Sequence, residues 1–381
     1  MKFNKNEFGW KEKVSVNTDE LPDDISIKNS LTVGERIGDI GEYSVAEGAD
    51  TTASGVASHA EGEETTASGN LSHAEGDGAT ASGIGSHAEG VDTTASGIGS
   101  HAEGKSSNSA TDIIQDLSSS TTNDDILTAW NTNKFSLAKG EASHVEGTNN
   151  LALGKYSHAE GVNTTGSGYT SHSEGENTTA LGVVSHTEGS YTTASGEVSH
   201  AEGSNTEASG DFSHAEGNYA IASGYISHAE GISTTASGNY SHAEGRSTTA
   251  SGECSHAEGD FTTANGNASH AEGSNTIASS SNQHVQGKYN IEDTANTYAH
   301  IVGNGTADNA RSNAHTLDWN GNAWYKGKLS QEGTPTEDKD LTTKKYVDDS
   351  IASQPQISFD TEGNLVVTIG GVTKKFKEIT E

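Results

Sequence analysis

A 14-residue period constrains the fold of this chain more than any other feature of its sequence. The pentapeptide Ser-His-Ala-Glu-Gly alternates with Thr-Thr-Ala-Ser-Gly, and two variable residues separate each pentapeptide from the next. A fixed short period is typical of a solenoid, and 14 residues hold two short strands but no pair of helices. The sequence therefore predicts a coil of parallel strands. The period is unbroken over His144, His158, His172, His186, His200, His214, His228, His242, His256, His270 and His284.

The same register extends toward the N-terminus. Regular units recur at His59, His73, His87 and His101. Before them, residues 44–48 and 30–34 keep the spacing, with Val45 and Leu31 where histidine would stand. Degenerate terminal units are what the capped end of a solenoid needs. The predicted coil therefore covers residues 30–287.

The period is interrupted once. His144 follows His101 by 43 residues, which is one period plus 29, so residues 107–135 are predicted to be an insertion in an intact coil. Within it, residues 110–117 and 123–130 are each predicted to form a short helix, the second with Asn123 as its N-cap. Insertions into solenoids often form a binding face, and a simple packing excursion is the alternative.

The residues outside the coil suggest four further segments. Residues 1–29 are polar and are predicted to be an N-terminal attachment segment. Residues 288–333 are predicted to be a β cap, in which Asn-Gly at 320–321 indicates a hairpin. Residues 334–353 read as a linker and a short amphipathic helix that would trimerise. Alternation over residues 354–381 predicts a small antiparallel β tip.

Composition alone would suggest disorder, because the apolar fraction is 30% and the formal charge is −33. Stacked identical turns, however, pair nearly every backbone N–H and C=O group. The acidic surface argues against nucleic acid and anionic membranes as partners. No apolar run is long enough for a transmembrane helix, no signal peptide is recognisable, and the single Cys254 excludes an intrachain disulfide.

Strand alternation predicts which side chains enter the coil. In Ser-His-Ala-Glu-Gly the Ser, Ala and Gly residues share one face, and the His and Glu residues share the other. The Ala of the second pentapeptide, replaced by Gly166 in one turn, is also predicted to point inward. The core is then thin and filled mainly by methyl groups. We therefore expect a lone chain to be marginally stable and to associate with copies of itself.

An apolar edge is predicted at the residue before each Ser-His-Ala-Glu-Gly unit, whereas the corner after Glu-Gly is mostly polar. By alternation this edge lies on the side of the His and Glu residues, so that strand is predicted to face a neighbouring chain in closed symmetry. The trimer-facing edge is represented by Tyr156, Val184, Val198, Phe212, Ile226 and Tyr240.

The stacked His and Glu residues allow two interpretations. A structural ladder, in which His gives hydrogen bonds or positive charge to Glu, is favoured over a site for divalent metal. Neighbouring Ser, His and Glu residues on one strand cannot form a nucleophilic triad, and no phosphate loop, zinc spacing or catalytic carboxylate pair occurs. The sequence therefore predicts no enzyme and no cofactor. The ladder is represented by His158, Glu160, His172, Glu174, His200, Glu202, His214, Glu216, His228, Glu230, His242 and Glu244.

Two resemblances bear on function. The Ser-x-Ala-x-Gly and Ala-x-Gly turns of residues 30–287 resemble the left-handed parallel β-roll of YadA-type trimeric adhesin heads. That family implies an obligate homotrimer which binds along the rod or at its end. The family's signal peptide and C-terminal membrane anchor are not recognisable here. Residues 333–348, Gly-Thr-Pro-Thr-Glu-Asp-Lys-Asp-Leu-Thr-Thr-Lys-Lys-Tyr-Val-Asp, resemble a segment of bacteriophage tail-fibre and baseplate-associated proteins.

Together these resemblances imply an all-β homotrimeric fibre of a phage or tail-like particle. It would be extracellular in the virion, attached by its N-terminus to baseplate or tail proteins, and would bind a bacterial surface receptor such as a glycan. A structural shaft that carries another receptor-binding chain, and a bacterial surface adhesin, are the alternatives. The candidate receptor contacts, which alternatively pack the trimer, are Trp130, Trp319, Trp324 and Tyr325.

Overall fold

The computed structural model describes a parallel β-solenoid of about 18 turns, an antiparallel cap and a separate three-stranded antiparallel sheet. The predicted all-β solenoid with a 14-residue turn is therefore confirmed. The predicted attachment segment and linker helix lie outside the described residues. The residues that the structure describes are 30–36, 40–109, 122–328, 354–369 and 371–377.

Each regular turn contributes one strand to each of two parallel sheets, which we name the His/Glu sheet and the Thr/Ala sheet. Identical positions of successive turns pair directly, as His214 pairs with His228 and Ala222 with Ala236. This register follows from the sequence, because a slip of one residue would turn every inward Ala outward.

The strands of the two sheets have the following bounds, and Ser44–Ala53 takes part in both. The parallel strands of the His/Glu sheet are Ser30–Arg36, Ser44–Ala53, His59–Glu63, His73–Asp77, His87–Val91, His101–Lys105, His144–Thr148, His158–Val162, His172–Glu176, His186–Thr187, His200–Ser204, His214–Asn218, His228–Ile232, His242–Arg246, His256–Asp260, His270–Ser274, His284–Lys288 and Tyr298–Asn304. The other strands of the Thr/Ala sheet are Thr66–Ala67, Thr80–Ala81, Thr94–Ala95, Leu137–Ala138, Leu151–Ala152, Thr165–Gly166, Thr179–Ala180, Thr193–Ala194, Glu207–Ala208, Ile221–Ala222, Thr235–Ala236, Thr249–Ala250, Thr263–Ala264 and Ile277–Ala278.

The core between the sheets is a column of small side chains. The inward Ala residues, such as Ala215 and Ala222, are fully buried, which confirms the predicted inward face. Polar side chains share the column: Ser58 is buried and its Oγ donates to the carbonyl of Gly55 at 2.8 Å, and Thr65 is buried as well. The core therefore contains hydroxyl groups beside its methyl groups, and its apolar content is even smaller than the sequence indicated.

The coil continues across the insertion of residues 107–135. The strands before and after the insertion pair directly: His101 pairs with His144 in the His/Glu sheet, and Thr94 pairs with Leu137 in the Thr/Ala sheet. Helix α1 spans Asn123–Asn133. The helix predicted over residues 110–117 lies outside the described residues.

The predicted N-cap of helix α1 was wrong by one residue. Thr122 is the N-cap: its side chain accepts a hydrogen bond from the backbone N–H of Asp125 at 3.2 Å, and the Asp125 carboxylate accepts one from the Thr122 N–H at 2.8 Å. This reciprocal pair satisfies two backbone N–H donors at once. With Asn123 as the N-cap, Ile126 would stand three residues later, and its side chain could not accept a hydrogen bond.

Helix α1 packs on the Thr/Ala sheet through the largest buried side chains of the described coil. Ile126 and Trp130 contact Phe135, Leu137 and Leu151. The two Leu residues occupy strand positions that hold Thr in most other turns, so the sheet there offers an apolar surface. The Nε1 of Trp130 donates to the carbonyl of Phe135 at 3.0 Å, which fixes the indole ring inside this cluster.

Deleting residues 107–135, with Leu137→Thr and Leu151→Thr to restore the regular surface, is expected to leave a folded coil. The deletion brings His144 to the 14-residue spacing from His101 and joins two pairs of strands that are already in register. Far-UV circular dichroism and thermal melting compare the variant with the parent. Loss of the cooperative transition would show that the insertion is needed to hold the two halves of the coil together.

The solenoid ends by switching from parallel to antiparallel pairing. Strand Tyr298–Asn304 is parallel to His284–Lys288. Strand Asn313–Asp318 pairs antiparallel with Tyr298–Asn304, and Ala323–Tyr325 pairs antiparallel with Asn313–Asp318. A short 3₁₀ helix, Asp308–Ala310, lies in the connection. Pairing of the last two strands around residues 320–321 confirms the predicted hairpin.

The C-terminal sheet is also antiparallel, as predicted. Its strands are Gln356–Phe359, Leu365–Ile369 and Val372–Phe376, paired in chain order.

Candidate functional site

The His/Glu sheet presents a continuous stack of imidazole rings on its outer face. From His59 to His284 successive ring centroids are 4.6–4.9 Å apart and the planes diverge by at most 13°. The insertion does not interrupt the stack, since His101 and His144 are 4.9 Å apart. In-register parallel pairing causes this geometry, because it repeats each side chain at the spacing of neighbouring strands.

Most imidazoles of the stack lie within 4.0 Å of a carboxylate without a hydrogen bond to it. The Nε2 of His87 is 3.6 Å from Glu89 of its own turn and 3.8 Å from Glu75 of the turn before. The closest pair, His158 and Glu160, is separated by 3.4 Å. These distances exceed the usual 2.7–3.2 Å of a hydrogen bond. The structure thus brings the predicted ladder residues together, and within the described part of the chain the Nε2 atoms of His59 through His284 have no hydrogen-bond partner.

The protonation of the ladder is coupled along its length. Burial, and next the neighbouring imidazoles, lower the pKa of His158 and His200 from the usual value. Hydrogen bonds with Glu216 and Glu188 raise the pKa of Glu202 to about 7, and the same contacts lower the pKa of those two partners. Successive carboxylates therefore compete for protons. A cation that binds between two of them would stabilise their ionised forms.

The predicted apolar edge forms one exposed corner of the coil. Tyr156, Val184, Phe212 and Tyr240 are all 45–50% exposed. The side chains contact each other along the corner, with centroids 5.8 Å apart between Phe212 and Tyr225 and 5.6 Å apart between Tyr225 and Tyr240. We call this set the apolar corner: Tyr156, Tyr169, Val183, Val184, Val198, Phe212, Tyr225, Ile226 and Tyr240.

Several residues of the apolar corner adopt left-handed backbone conformations. The φ angles of Val184, Val198 and Ile226 are +57°, +54° and +51°. For a β-branched residue this conformation is an outlier, which costs about 1–2 kcal/mol. At the opposite corner the equivalent positions often hold Asn, as at Asn163 and Asn205, and Asn tolerates this conformation.

The structure adds detail to the sequence interpretation of the two corners. The opposite corner is mostly polar, but Tyr191, Tyr219 and Phe261 are exposed there by 49–58%. The apolar corner is also wider than predicted, because in some turns the preceding residue is apolar and exposed as well, as at Tyr169, Val183 and Tyr225. The signal for this second row was present in consecutive apolar pairs such as Val183–Val184.

Three of the four aromatic receptor candidates are exposed and lie in the cap. Trp319, Trp324 and Tyr325 are 47–55% exposed. Trp324 lines a cavity of about 460 Å³ together with polar side chains that include Asp318. The other polar lining side chains include Ser312, Asn313, Thr316, Asn322 and Lys326.

Trp130, the fourth candidate, does not lie at the surface. It is 5% exposed and its Nε1 donates to the carbonyls of Phe135 and Asn149. Its placement contradicts a receptor contact and assigns it to packing of helix α1. No helix in the described residues is long and apolar enough to span a membrane.

Comparison with known families identifies the repeats. A search of curated proteins found no match. The family model described as YadA head domain repeat (2 copies) matches residues 46–72, 60–86, 74–100, 88–107, 159–185, 201–227, 229–253 and 257–279. The chain thus carries YadA head domain repeats, which are typical of adhesin-type fibres rather than of enzymes.

Proposed function

We propose that this chain forms an extracellular homotrimeric fibre that adheres to a cell surface through its cap. Three coils would bury their apolar corners and His/Glu sheets against one another. The apolar corner is the observation that carries this proposal, and the YadA head repeats support it.

The apolar corner has two unfavourable features that a trimer would offset. Its side chains are exposed to water, and its β-branched members also adopt left-handed backbone conformations. Burial of apolar surface contributes about 25 cal/mol per Å², so contact with another chain would compensate for both. The corner recurs in successive turns along one line, which suits contact along the whole rod. Closed three-fold symmetry would give every copy the same contact.

The cap has the side-chain chemistry of a carbohydrate site. Trp319 and Trp324 are about half exposed, and a sugar can stack on indole rings. Asp318, Asn322 and Lys326 supply hydrogen-bonding groups in the cavity beside Trp324. Apolar faces combined with a few converging polar groups are typical of small-ligand sites. We therefore propose a surface glycan as the ligand.

Replacing Trp319 and Trp324 together by Ala is expected to reduce binding of the purified chain to an array of bacterial surface polysaccharides by roughly 5-fold or more. The reason is the loss of two stacking surfaces, each worth about 0.5–1.5 kcal/mol. Tyr219→Ala, which removes an exposed aromatic far from the cap, serves as the control.

Sedimentation of the same samples would separate two failures. A trimer that binds no polysaccharide and no cells would support a structural shaft that carries another chain. A folded monomer at dilute concentration would contradict the fibre itself.

A phage or tail-like particle is the second candidate setting. The segment of residues 333–348, which lies outside the described residues, favours it through its resemblance to tail-fibre proteins. The fibre would then bind baseplate or tail proteins at one end and a bacterial receptor at the other. A bacterial surface adhesin accounts equally well for the head repeats. Gold-labelled antibody against the chain would mark purified particles in the first case and the cell envelope in the second.

A further inference from the structure

We propose that the His/Glu ladder binds divalent transition-metal ions, each held by imidazole nitrogens of successive turns and the glutamate carboxylate between them. All the protein ligands of such a site come from one chain, and the proposed trimer would bring the sites to the contact between chains.

The spacing of the donor atoms fits shared ligation better than hydrogen bonding. Zinc bonds of 2.0–2.2 Å at tetrahedral angles separate two ligand atoms by about 3.4 Å. His158 Nε2 and Glu160 Oε2 are 3.4 Å apart, and His87 and Glu89 are 3.6 Å apart. In the group of His158, Glu160 and His172, all three donor atoms lie within 4.8 Å of one another. Moving the second imidazole closer by up to about 1.4 Å, from 4.8 Å to the ~3.4 Å of a tetrahedral ion, would complete the set.

The same group recurs along the ladder. Successive sets share their histidines, and the sharing continues across the insertion through His101, Glu103 and His144. The ladder is therefore a linear array of equivalent sites. Because neighbouring sites share a histidine and neighbouring cations repel, occupied sites would alternate with empty ones. Five of these groups are His87–Glu89–His101, His101–Glu103–His144, His144–Glu146–His158, His158–Glu160–His172 and His172–Glu174–His186.

The chemistry of the donors selects the metal. Imidazole nitrogen with one carboxylate oxygen suits Zn²⁺ and its neighbours in the first transition row. Ca²⁺ and Mg²⁺ require six or more oxygen ligands and gain little from imidazole. Each site would keep open positions for water, since three protein ligands leave a tetrahedral ion incomplete.

The electrostatics of the ladder favour a bound cation. The chain has a formal charge of −33, and in-register pairing places the glutamate carboxylates of successive turns in one row, as at Glu216 and Glu230. The imidazole nitrogens that face them have no hydrogen-bond partner within the described residues. A divalent ion would satisfy both groups at once.

Equilibrium dialysis of the full chain against ZnCl₂ at pH 7.5, with metal counted by elemental analysis, tests the proposal. We expect more than one Zn²⁺ per chain, unaffected by a 100-fold excess of Mg²⁺ or Ca²⁺. Co²⁺ is expected to give the visible absorption of a nitrogen- and oxygen-ligated tetrahedral ion.

Two double variants locate the ions. His158→Val with His172→Val disrupts three neighbouring groups, and Val is compatible with the strand because Val45 pairs in register with His59. Glu160→Gln with Glu174→Gln removes two carboxylate ligands. Both are expected to lower the stoichiometry by at least one ion per chain. Glu197→Gln with Glu253→Gln, which alters exposed carboxylates outside the ladder, makes the same charge change and is expected to lose none.

Uptake below one ion per chain, equal competition by Ca²⁺, or equal losses in the ladder and control variants would each overturn the proposal. Circular dichroism of every variant confirms that the coil is intact. Sedimentation of the metal-free chain reports on the fibre independently. A trimer without metal uptake would therefore reject the metal site and leave the proposed function standing.

Discussion

Replacing Val184, Val198 and Ile226 together by Asn is expected to convert the proposed trimer into folded monomers. Each of these side chains is more than 40% exposed in the single coil and holds a left-handed φ angle. Asn accepts that conformation more readily, so the backbone of the isolated coil should gain stability. Contact with another chain, however, would lose roughly 1 kcal/mol for each of these side chains, because about half of each is already buried in the coil. The substitution thus moves coil stability and association in opposite directions.

Sedimentation equilibrium over a range of protein concentrations measures the association, and circular dichroism measures the coil. The matched control is Tyr191→Asn, Tyr219→Asn and Phe261→Asn, which makes the same change at left-handed positions of the opposite corner. We expect the control to remain trimeric. A trimer that survives the first variant as well as the control would show that the apolar corner is not the contact between chains.

The features that follow from exact repetition could be predicted from the sequence. Counting from His101 to His144 was enough to place the insertion, because parallel register leaves only whole turns on either side of it. Strand alternation was enough to place Ala215 and its equivalents in the core. In both cases one rule applies at every turn, so a single strand geometry decides the outcome.

The features that depend on local exceptions could not be predicted in the same way. Trp130 is buried because Leu137 and Leu151 replace the usual Thr and offer it an apolar surface. The N-cap of helix α1 is decided by the Thr122–Asp125 pair, which competes with an equally plausible Asn123. The distance between imidazole and carboxylate depends on side-chain rotamers, which a repeat pattern does not specify.

The left-handed corners were also missed, although the sequence contains their signal. At the opposite corner many turns hold Asn at the left-handed position. On the side of the apolar corner, two turns hold Gly at the equivalent position, Gly85 and Gly99. Both residue types favour positive φ angles. Bulky residues such as Val184 at the same position concealed the pattern, because a β-branched residue is the last one expected there.

Gly217→Ala is expected to destabilise the coil by more than about 4 kcal/mol, the range reached only by changes that the structure cannot absorb. Gly217 has a φ angle of +109°, and a Cβ atom there would lie 2.2 Å from the carbonyl oxygen of Gly231 in the next turn. Backbone on both sides prevents relief, since Gly231 is held in the same contact with Gly245. The two turns would have to separate, which breaks the ladder hydrogen bonds between them.

Gly85→Asn is the matched control for this substitution. Gly85 also has a positive φ angle, +66°, but no atom lies within 4 Å of a Cβ placed there. Asn tolerates this conformation, so we expect a change within about 1 kcal/mol. Thermal melting compares the two variants, and limited proteolysis locates any opening, which for Gly217→Ala should lie at the corners adjoining Gly217 and Gly231. Equal melting temperatures of the two variants would mean that the turns can move apart without loss of stability. The close contact between stacked glycines would then not be a requirement of the 14-residue turn.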